Sequence, residues 1–251
     1  VRLRIKFQFK EKLNVPVHHQ ELLHGLIYHC IGDDEFRDRL HNYGFPYEKR
    51  QFRMFCFSKL MGVHQFENGR IIFSSPVSFL FSSFHDRLVS ELATTLFAKK
   101  ELYIGHNRVT MAGIEVVDEK PSSVMHVRMI TPVTMYSTLI ENNRKKTYYY
   151  SPSEDKFSEL IANNARKKYE AIYGNPAPES SLELVPLDLQ KLRPKTVLFK
   201  GTIIKGWMGD FRLTGHPELL RIVHDVGIGA KCSNGMGLFT VVRDLNETKP
   251  Q

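Results

Sequence analysis

Tryptophan occurs once and cysteine three times in 251 residues, and the chain contains neither a Cys-x-x-Cys pair nor a His-Glu-x-x-His run. An odd set of scattered cysteines (Cys30, Cys56, Cys232) provides no disulfide framework and no zinc knuckle, and fits a reducing interior. There is no apolar run of about 18 residues, the length needed to span a bilayer. Val1 to Lys12 alternates basic and apolar residues instead of forming a secretory leader. The expected location is the cytoplasm, with no membrane partner. Acidic residues are in deficit, 27 against 35 Lys and Arg, which leaves a net charge of +8 and a pI near 9.3. That balance favours a polyanion over an acidic small molecule as the partner.

What remains is ordinary for a globular protein: 42% hydrophobic and 25% charged residues, enough chain for one large domain or two of usual size. Arg2 to Phe9 alternates strictly with period two, the pattern of a strand with one buried face. Val17 to Ile31 carries an apolar stripe of Leu22, Leu23, Leu26, Ile27 and Cys30 and is predicted helical. Asp33 or Asp34 caps a short second helix that packs Phe36 and Leu40 and stops near His41. Strands are predicted over Phe52 to Leu60 and Gly69 to Ser74, a helix over Phe79 to Lys99, and a strand region over Glu101 to Val117 broken at Gly105-His106-Asn107. This is a β-α-β-β-α-β order, the ferredoxin-like arrangement.

After Lys120-Pro121-Ser122-Ser123 the order repeats. Strand-like Val124 to Thr134 leads through Glu141-Asn142-Asn143-Arg144, read as a hairpin insertion, to Thr147-Tyr148-Tyr149-Tyr150. A helix is predicted over Ser153 to Tyr173, strands over Leu182 to Leu187 and Val197 to Trp207, a helix over Pro217 to Val223 and a last strand over Leu238 to Val242. The expected fold is therefore α+β: two tandem ferredoxin-like (RRM-like) βαββαβ domains, at residues 1–119 and 122–251.

Between the last helix and the last strand lies Gly227-Ile228-Gly229-Ala230-Lys231-Cys232-Ser233-Asn234-Gly235-Met236-Gly237. A dinucleotide fingerprint would need glycine where Cys232 stands, and a P-loop would need Gly-Lys-Ser/Thr where Gly235-Met236-Gly237 stands. The helix-to-strand order is also the reverse of those loops. Seen alone, the segment is either a plain turn or a surface for a polymeric phosphate backbone; the basic composition favours the second. Basic residues cluster at Lys49, Arg50 and Arg53, at Arg144 to Lys146, at Arg166 to Lys168 and at Lys191, Arg193 and Lys195.

Three side chains stand out for chemistry. At about 100° per residue, Tyr28 points away from its own helix's apolar stripe and shares a face with His24 and Glu21. His19, His24 and His29 step about 140° apart on that helix and cannot converge on a metal. No metal site and no cofactor are expected. His41 is predicted in a loop beside Lys49, Arg50 and Arg53, where an imidazole can take and give protons and cations can hold a phosphate. A tyrosine, a histidine and a cation without a carboxylate pair suit RNA self-cleavage, in which the 2′-hydroxyl attacks the adjacent phosphate.

At these residues the chain resembles the CRISPR-associated endoribonucleases that cut precursor CRISPR RNA within its repeats, the "Cas six" family of the RAMP superfamily. The carriers are His19-Gln20 with Gly25-Leu26-Ile27-Tyr28, Leu40 to Phe45, Phe52 to Ser58, and Gly227-Ile228-Gly229 through Gly235-Met236-Gly237-Leu238. The resemblance runs nearly the whole length. It implies two ferredoxin-like domains and metal-independent cleavage that leaves a 2′,3′-cyclic phosphate and a 5′-hydroxyl. It places His41 on the catalytic histidine and Tyr28 on a tyrosine present in some members, with His29 in reserve. The third group is Lys49 by chemistry, or Arg53 by alignment of the following strand. Either Tyr28 or His41 withdraws the 2′-proton. RNA contacts are expected from Arg50, Arg53, Arg193, Lys195, Lys231 and the glycines 227, 229, 235 and 237. The partners are CRISPR repeat RNA, as precursor and as mature guide, with a multi-subunit CRISPR interference complex and a homodimer as further assemblies. The rival is a non-catalytic RNA-binding subunit of such a complex. A plain RRM-like binder ranks last, since no RNP1-like Lys/Arg-Gly-Phe/Tyr run is present.

Overall fold

The computed structural model describes residues 1–141, 144–179 and 182–244. The Asn142-Asn143 turn of the expected hairpin and the end of the second repeat after 244 lie outside the described residues. The first half begins with β1 (Arg2–Gln8), β2 (Leu13–Pro16), α1 (Gln20–His29), α2 (Asp34–Asn42), β3 (Phe45–Tyr47), β4 (Arg50–Phe52) and β5 (Phe55–Phe57). It continues with β6 (His64–Glu67), β7 (Arg70–Phe73), β8 (Val77–Ser83), α3 (Asp86–Ala98), β9 (Leu102–Ile104) and β10 (Asn107–Val116). The second half holds β11 (Val124–Met129), β12 (Tyr136–Glu141), β13 (Arg144–Tyr149), α4 (Asp155–Tyr173) and β14 (Glu183–Pro186). It ends with β15 (Arg193–Phe199), β16 (Thr202–Met208), β17 (Asp210–Thr214), α5 (Pro217–Val226) and β18 (Phe239–Asp244).

Two antiparallel sheets organise these elements, ordered β5-β8-β1-β10-β9 and β14-β17-β11-β18. Among the four principal strands of each half, the second lies beside the third, the third beside the first and the first beside the fourth. That is the expected ferredoxin-like arrangement, present twice, with β8 and β17 as the third strands. In β1 the alternation places Leu3, Ile5 and Phe7 in the core, where they meet Leu23 and Ile27 of α1 and Leu88, Leu92 and Leu96 of α3. The second core gathers Val127 and Met129 of β11, Phe157, Ile161 and Ala165 of α4, and Leu219, Leu220 and Val223 of α5. Among the described residues, no helix is long and apolar enough to cross a membrane.

Four expectations are corrected. Gly69 to Ser74, expected in the main sheet, forms β7 in a separate sheet with β2 and β6. Phe79 to Ser83 belongs to strand β8, and the helix begins only at Asp86. An apolar run buried on both faces looks alike as helix or strand, and here the ladder to β1 decides. Val197 to Trp207 is not one strand but the hairpin β15–β16, turning at Lys200-Gly201 with φ of 46° and 72°. The second half therefore carries two hairpin insertions, β12–β13 and β15–β16, where one was expected.

The halves meet along the glycine segment. An added Cβ on Gly227 would stand 3.0 Å from the Cys56 Cβ, and one on Gly235 would stand 2.9 Å from the Gln20 Cγ and 3.2 Å from the Phe57 ring. At Gly237 (φ +72°) it would lie 2.0 Å from the Ile228 carbonyl oxygen, so only glycine lets the two passes of the loop cross. Arg2, fully buried, crosses the same seam and donates to the carbonyls of His224 (2.8 Å) and Phe239 (2.7 Å) and to the Glu119 carboxylate (2.7 Å).

Candidate functional site

A groove of about 1100 Å³ opens where the two halves meet. One wall comes from α1, the end of α2 and β4 (His24, Tyr28, His41, Arg50, Arg53). The facing wall comes from α4, β12 and the glycine segment (Asn164, Lys167, Tyr136, Lys231), with Phe199 and Lys200 of the β15–β16 turn also lining it. Six lining side chains are cationic (Arg50, Arg53, Lys167, Lys168, Lys200, Lys231) and none is a carboxylate.

Local sequence sets the first wall. Asp33 caps α2 by accepting from the Phe36 amide at 2.7 Å, which fixes where the helix starts. His41 then falls in its last turn, exposed, and not in a loop beyond it as expected. Phe36 and Leu40 anchor the buried side of the same helix. Tyr28 is only 8% exposed. It is thus not turned away from the core as expected: it joins the first core and packs against Phe55 at 6.0 Å between ring centroids. Its ring meets His41 edge-on, with centroids 5.2 Å apart and planes at 81°.

Arg53 ties the cluster together. It donates to the carbonyls of His41 (2.6 Å) and Gln51 (3.1 Å), and its positive charge acts on the Tyr28 phenol. Burial pushes that phenol up to about 12, against the opposing charge of Arg53, so it keeps its proton at neutral pH. His24 meets Tyr28 with ring centroids 4.8 Å apart and planes at 45°, and meets Phe199 at 5.3 Å. Burial, with the charges of Lys200, His41 and Arg53 adding to it, holds the His24 imidazole down at about 4.

The structure thus brings Tyr28, His41, Arg50, Arg53, Gly229 and Lys231 to one groove. Lys49 is exposed in the turn between β3 and β4 and does not line it. Arg193 and Lys195, exposed on β15, also lie outside the lining, with the Lys195 charge acting on half-buried Lys59. Gly227, Gly235 and Gly237, expected on an RNA surface, are buried in the seam because they serve close main-chain approach. His29 points elsewhere, its Nε2 2.8 Å from Lys99 Nζ. His19 is structural: Leu60 N–H donates to its Nε2 at 3.0 Å, which leaves Nδ1 to donate to the Pro16 carbonyl at 3.1 Å. Among the described residues no group of three or more His, Cys, Asp or Glu could hold a metal ion. The sequence reading missed Tyr136, Asn163, Asn164, Phe199 and Lys200. Their one local signal is the Asn163-Asn164 pair in mid-helix, where asparagine is a poor helix former.

A family model described as CRISPR associated protein Cas6, C-terminal, matches residues 115–241, about half the chain. Over 252 residues the chain is 25% identical to CRISPR-associated endoribonuclease Cas6 1 of Methanocaldococcus jannaschii, covering 98% of this chain and 95% of that protein. It is 26% identical over 233 residues to CRISPR-associated endoribonuclease Cas6 of Pyrococcus furiosus, covering 90% and 83%. A solved structure described as CRISPR associated protein Cas6 superposes with a TM-score of 0.79 at 25% identity, over 96% of this chain and 99% of that one. Another, from a Cas6-related gene of Pyrococcus furiosus, reaches 0.83 at 18% identity over 97% and 98%, a likeness of fold alone. With the duplicated ferredoxin-like fold and the basic groove between its halves, the match over the C-terminal half makes this chain a member of the CRISPR-associated Cas6 family.

Proposed function

We propose that the protein is an endoribonuclease that cuts precursor CRISPR RNA within its repeats, without a metal, leaving 2′,3′-cyclic phosphate and 5′-hydroxyl ends. The observation that carries this reading is the edge-on contact of Tyr28 with His41 in a groove lined by six cationic side chains and no carboxylate. In the reaction the O2′–P bond forms as the P–O5′ bond breaks, one proton leaves the 2′-oxygen and one reaches the 5′-oxygen. A single neutral imidazole can accept the first and return the second, and exposed His41 is placed for it. The Tyr28 phenol, protonated at neutral pH, orients the reacting ribose phosphate as a hydrogen-bond donor. Arg53, already bonded to the His41 carbonyl and acting by its charge on Tyr28, supplies positive charge for the phosphorane, the role that Lys49 is too remote from the groove to take. These residues belong to a first domain, 1–119, and the glycine segment to a second, 122–251.

The test is incubation with a repeat RNA in excess chelator. Cutting should persist, should yield a cyclic phosphate, and should stop when the nucleotide before the break lacks its 2′-hydroxyl. Cutting that needs added divalent ions would overturn the scheme. Binding without any cutting would establish the rival, a guide-RNA holder in a larger CRISPR complex.

A further inference from the structure

Helix α4 carries two stripes. Phe157, Ile161, Ala165 and Tyr169 enter the second core. A parallel stripe at Leu160, Asn163, Asn164, Lys167 and Lys168, spaced three and four residues apart, lines the groove. Lys168 is buried and fully committed: its ammonium donates to the carbonyls of Gly227 (2.7 Å) and Gly229 (2.9 Å) and to Cys232 Sγ (3.3 Å). It holds the glycine segment in place. Asn164 is equally buried, 3% exposed, yet its Oδ1 has no hydrogen-bond partner among the described residues. Such an acceptor costs about 1–3 kcal/mol when left unsatisfied. Asparagine also weakens the helix interior relative to leucine. Neither cost serves the core, which α4 reaches with its other stripe.

We propose that Asn164 is a nucleobase-reading residue: its carboxamide pairs with the edge of one unpaired adenine of the RNA, taken into the groove on the wall facing His41. This deepens the reading of the groove as an RNA-cutting site and rests on it. The chemistry selects the ligand. Phosphate offers only acceptors and would leave Oδ1 unpaired. An adenine edge offers an N6–H donor to Oδ1 and a ring acceptor to Nδ2, the bidentate fit that asparagine makes with this base. Tyr136 lines the same wall, with Lys231 Nζ 5.4 Å from its ring centre, and supplies an aromatic face for the base. Lys167 and Lys231 lie alongside to hold the flanking phosphates.

The experiment measures equilibrium binding of single-stranded repeat RNAs made uncuttable by one 2′-deoxy nucleotide at the break. Each of the three nucleotides on either side is varied through the four bases. Wild-type protein should prefer adenine at one position by roughly 10-fold or more, the size of one bidentate contact. The folded variants Asn164→Leu and Asn164→Ser should reduce that preference below about threefold while binding the other bases as before. A 2′-deoxyadenosine at the reading position should bind like adenosine, whereas an abasic site should not. With wild-type protein, 8-azidoadenosine at that position should crosslink to residues 160–168, a result independent of how the variants fold. No adenine preference, a preference unchanged in either folded variant, or crosslinks confined to other segments would each overturn the proposal. Since the probe cannot be cut, failure of the cleavage scheme shows separately, as wild-type protein that discriminates bases yet leaves unmodified RNA intact.

Discussion

Arg53 donates a 2.6 Å hydrogen bond to the main-chain carbonyl of His41, a residue twelve positions earlier in the chain. That carbonyl lies at the end of α2, where helix carbonyls lack intrahelical partners and favour a cation. One side chain therefore closes the end of the helix that carries the imidazole, whose own Nδ1 lies 3.0 Å from Asn42 Oδ1. The charge of the same guanidinium acts on Tyr28.

Replacing Arg53 should accordingly do more than remove a charge. Arg53→Ala is expected to slow cleavage roughly 10²–10³-fold, the size seen when one stabilising donor is lost from an active site. Arg53→Lys restores the charge without the fork and should recover only part of the rate. Lys49→Ala, at the hairpin turn, should stay near wild type. Single-turnover cleavage of one repeat RNA by the three variants measures this, and a Lys49→Ala loss as large as that of Arg53→Ala would return Lys49 to the site.

For the imidazole, His41→Ala should lower the cleavage rate by about 10²–10⁴ and leave RNA affinity nearly unchanged. Tyr28→Phe keeps the buried ring and loses only the phenol, so its loss should be smaller, roughly tenfold for one orienting hydrogen bond. Titrating the same RNA in a binding assay separates chemistry from affinity. A His41→Ala protein that cuts normally would place the proton transfer elsewhere.

Affinity should report the groove's cations through salt. For a single strand, log K falls against log salt by about 0.7 for each phosphate contacted. Lys200→Ala and Lys231→Ala, both on the groove, should each flatten that slope by roughly this amount, whereas Lys195→Ala should leave it unchanged. Filter binding across a salt series provides the slopes.

The glycine segment should act on stability before it acts on RNA. Gly237→Ala puts a Cβ 2.0 Å from the Ile228 carbonyl at φ +72°, while Gly69→Ala, at φ +73°, meets nothing within 4 Å. Both incur the left-handed backbone cost of about 1–2 kcal/mol, and only Gly237→Ala adds a collision at the seam. Urea unfolding should therefore rank Gly237→Ala well below Gly69→Ala, and equal midpoints would contradict the crossing described here.

A pH signature comes from Glu119. Burial raises its carboxyl, but the nearby His224 ring, the Thr240 hydroxyl that donates to it and the charge of Arg2 outweigh that and bring it from 4.5 to about 2. A carboxyl lowered in the folded state contributes stability above its unfolded value and loses it as pH falls toward the folded one. Between about pH 4.5 and 2, wild-type stability should thus fall more steeply than that of Glu119→Gln, by up to one proton's slope. Denaturation at a series of acidic pH values tests this, and parallel curves would show that the charge of Glu119 contributes nothing to stability.

Much of this protein was legible in its residues. The alternation of Arg2 to Phe9, the stripe of α1 and the repeated element order specify two ferredoxin-like sheets, because burial on one face leaves a period that can be read locally. The cap at Asp33 and the place of His41 near the end of α2 were equally local. Phe79 to Ser83 was not, since a segment buried on both faces has no period, and only its pairing with β1 makes it a strand.

Charge balance pointed to a polyanion, and the structure brings Tyr28, His41 and the nearby Arg50 and Arg53 to one groove. Which cation stands beside the imidazole was a matter for the tertiary structure: Arg53 and Lys49 differ by four positions, and a hairpin turn sends one inward and the other to solvent. The glycine segment read as a turn or a phosphate surface, and only the packed halves showed Gly227 and Gly235 against Cys56, Gln20 and Phe57 of the first half. The far wall, with Asn164 and Tyr136, arises from the other half of the chain, far in sequence from His41. A contact between distant segments leaves no periodic trace in either of them, so it exists only once the two sheets are set against each other.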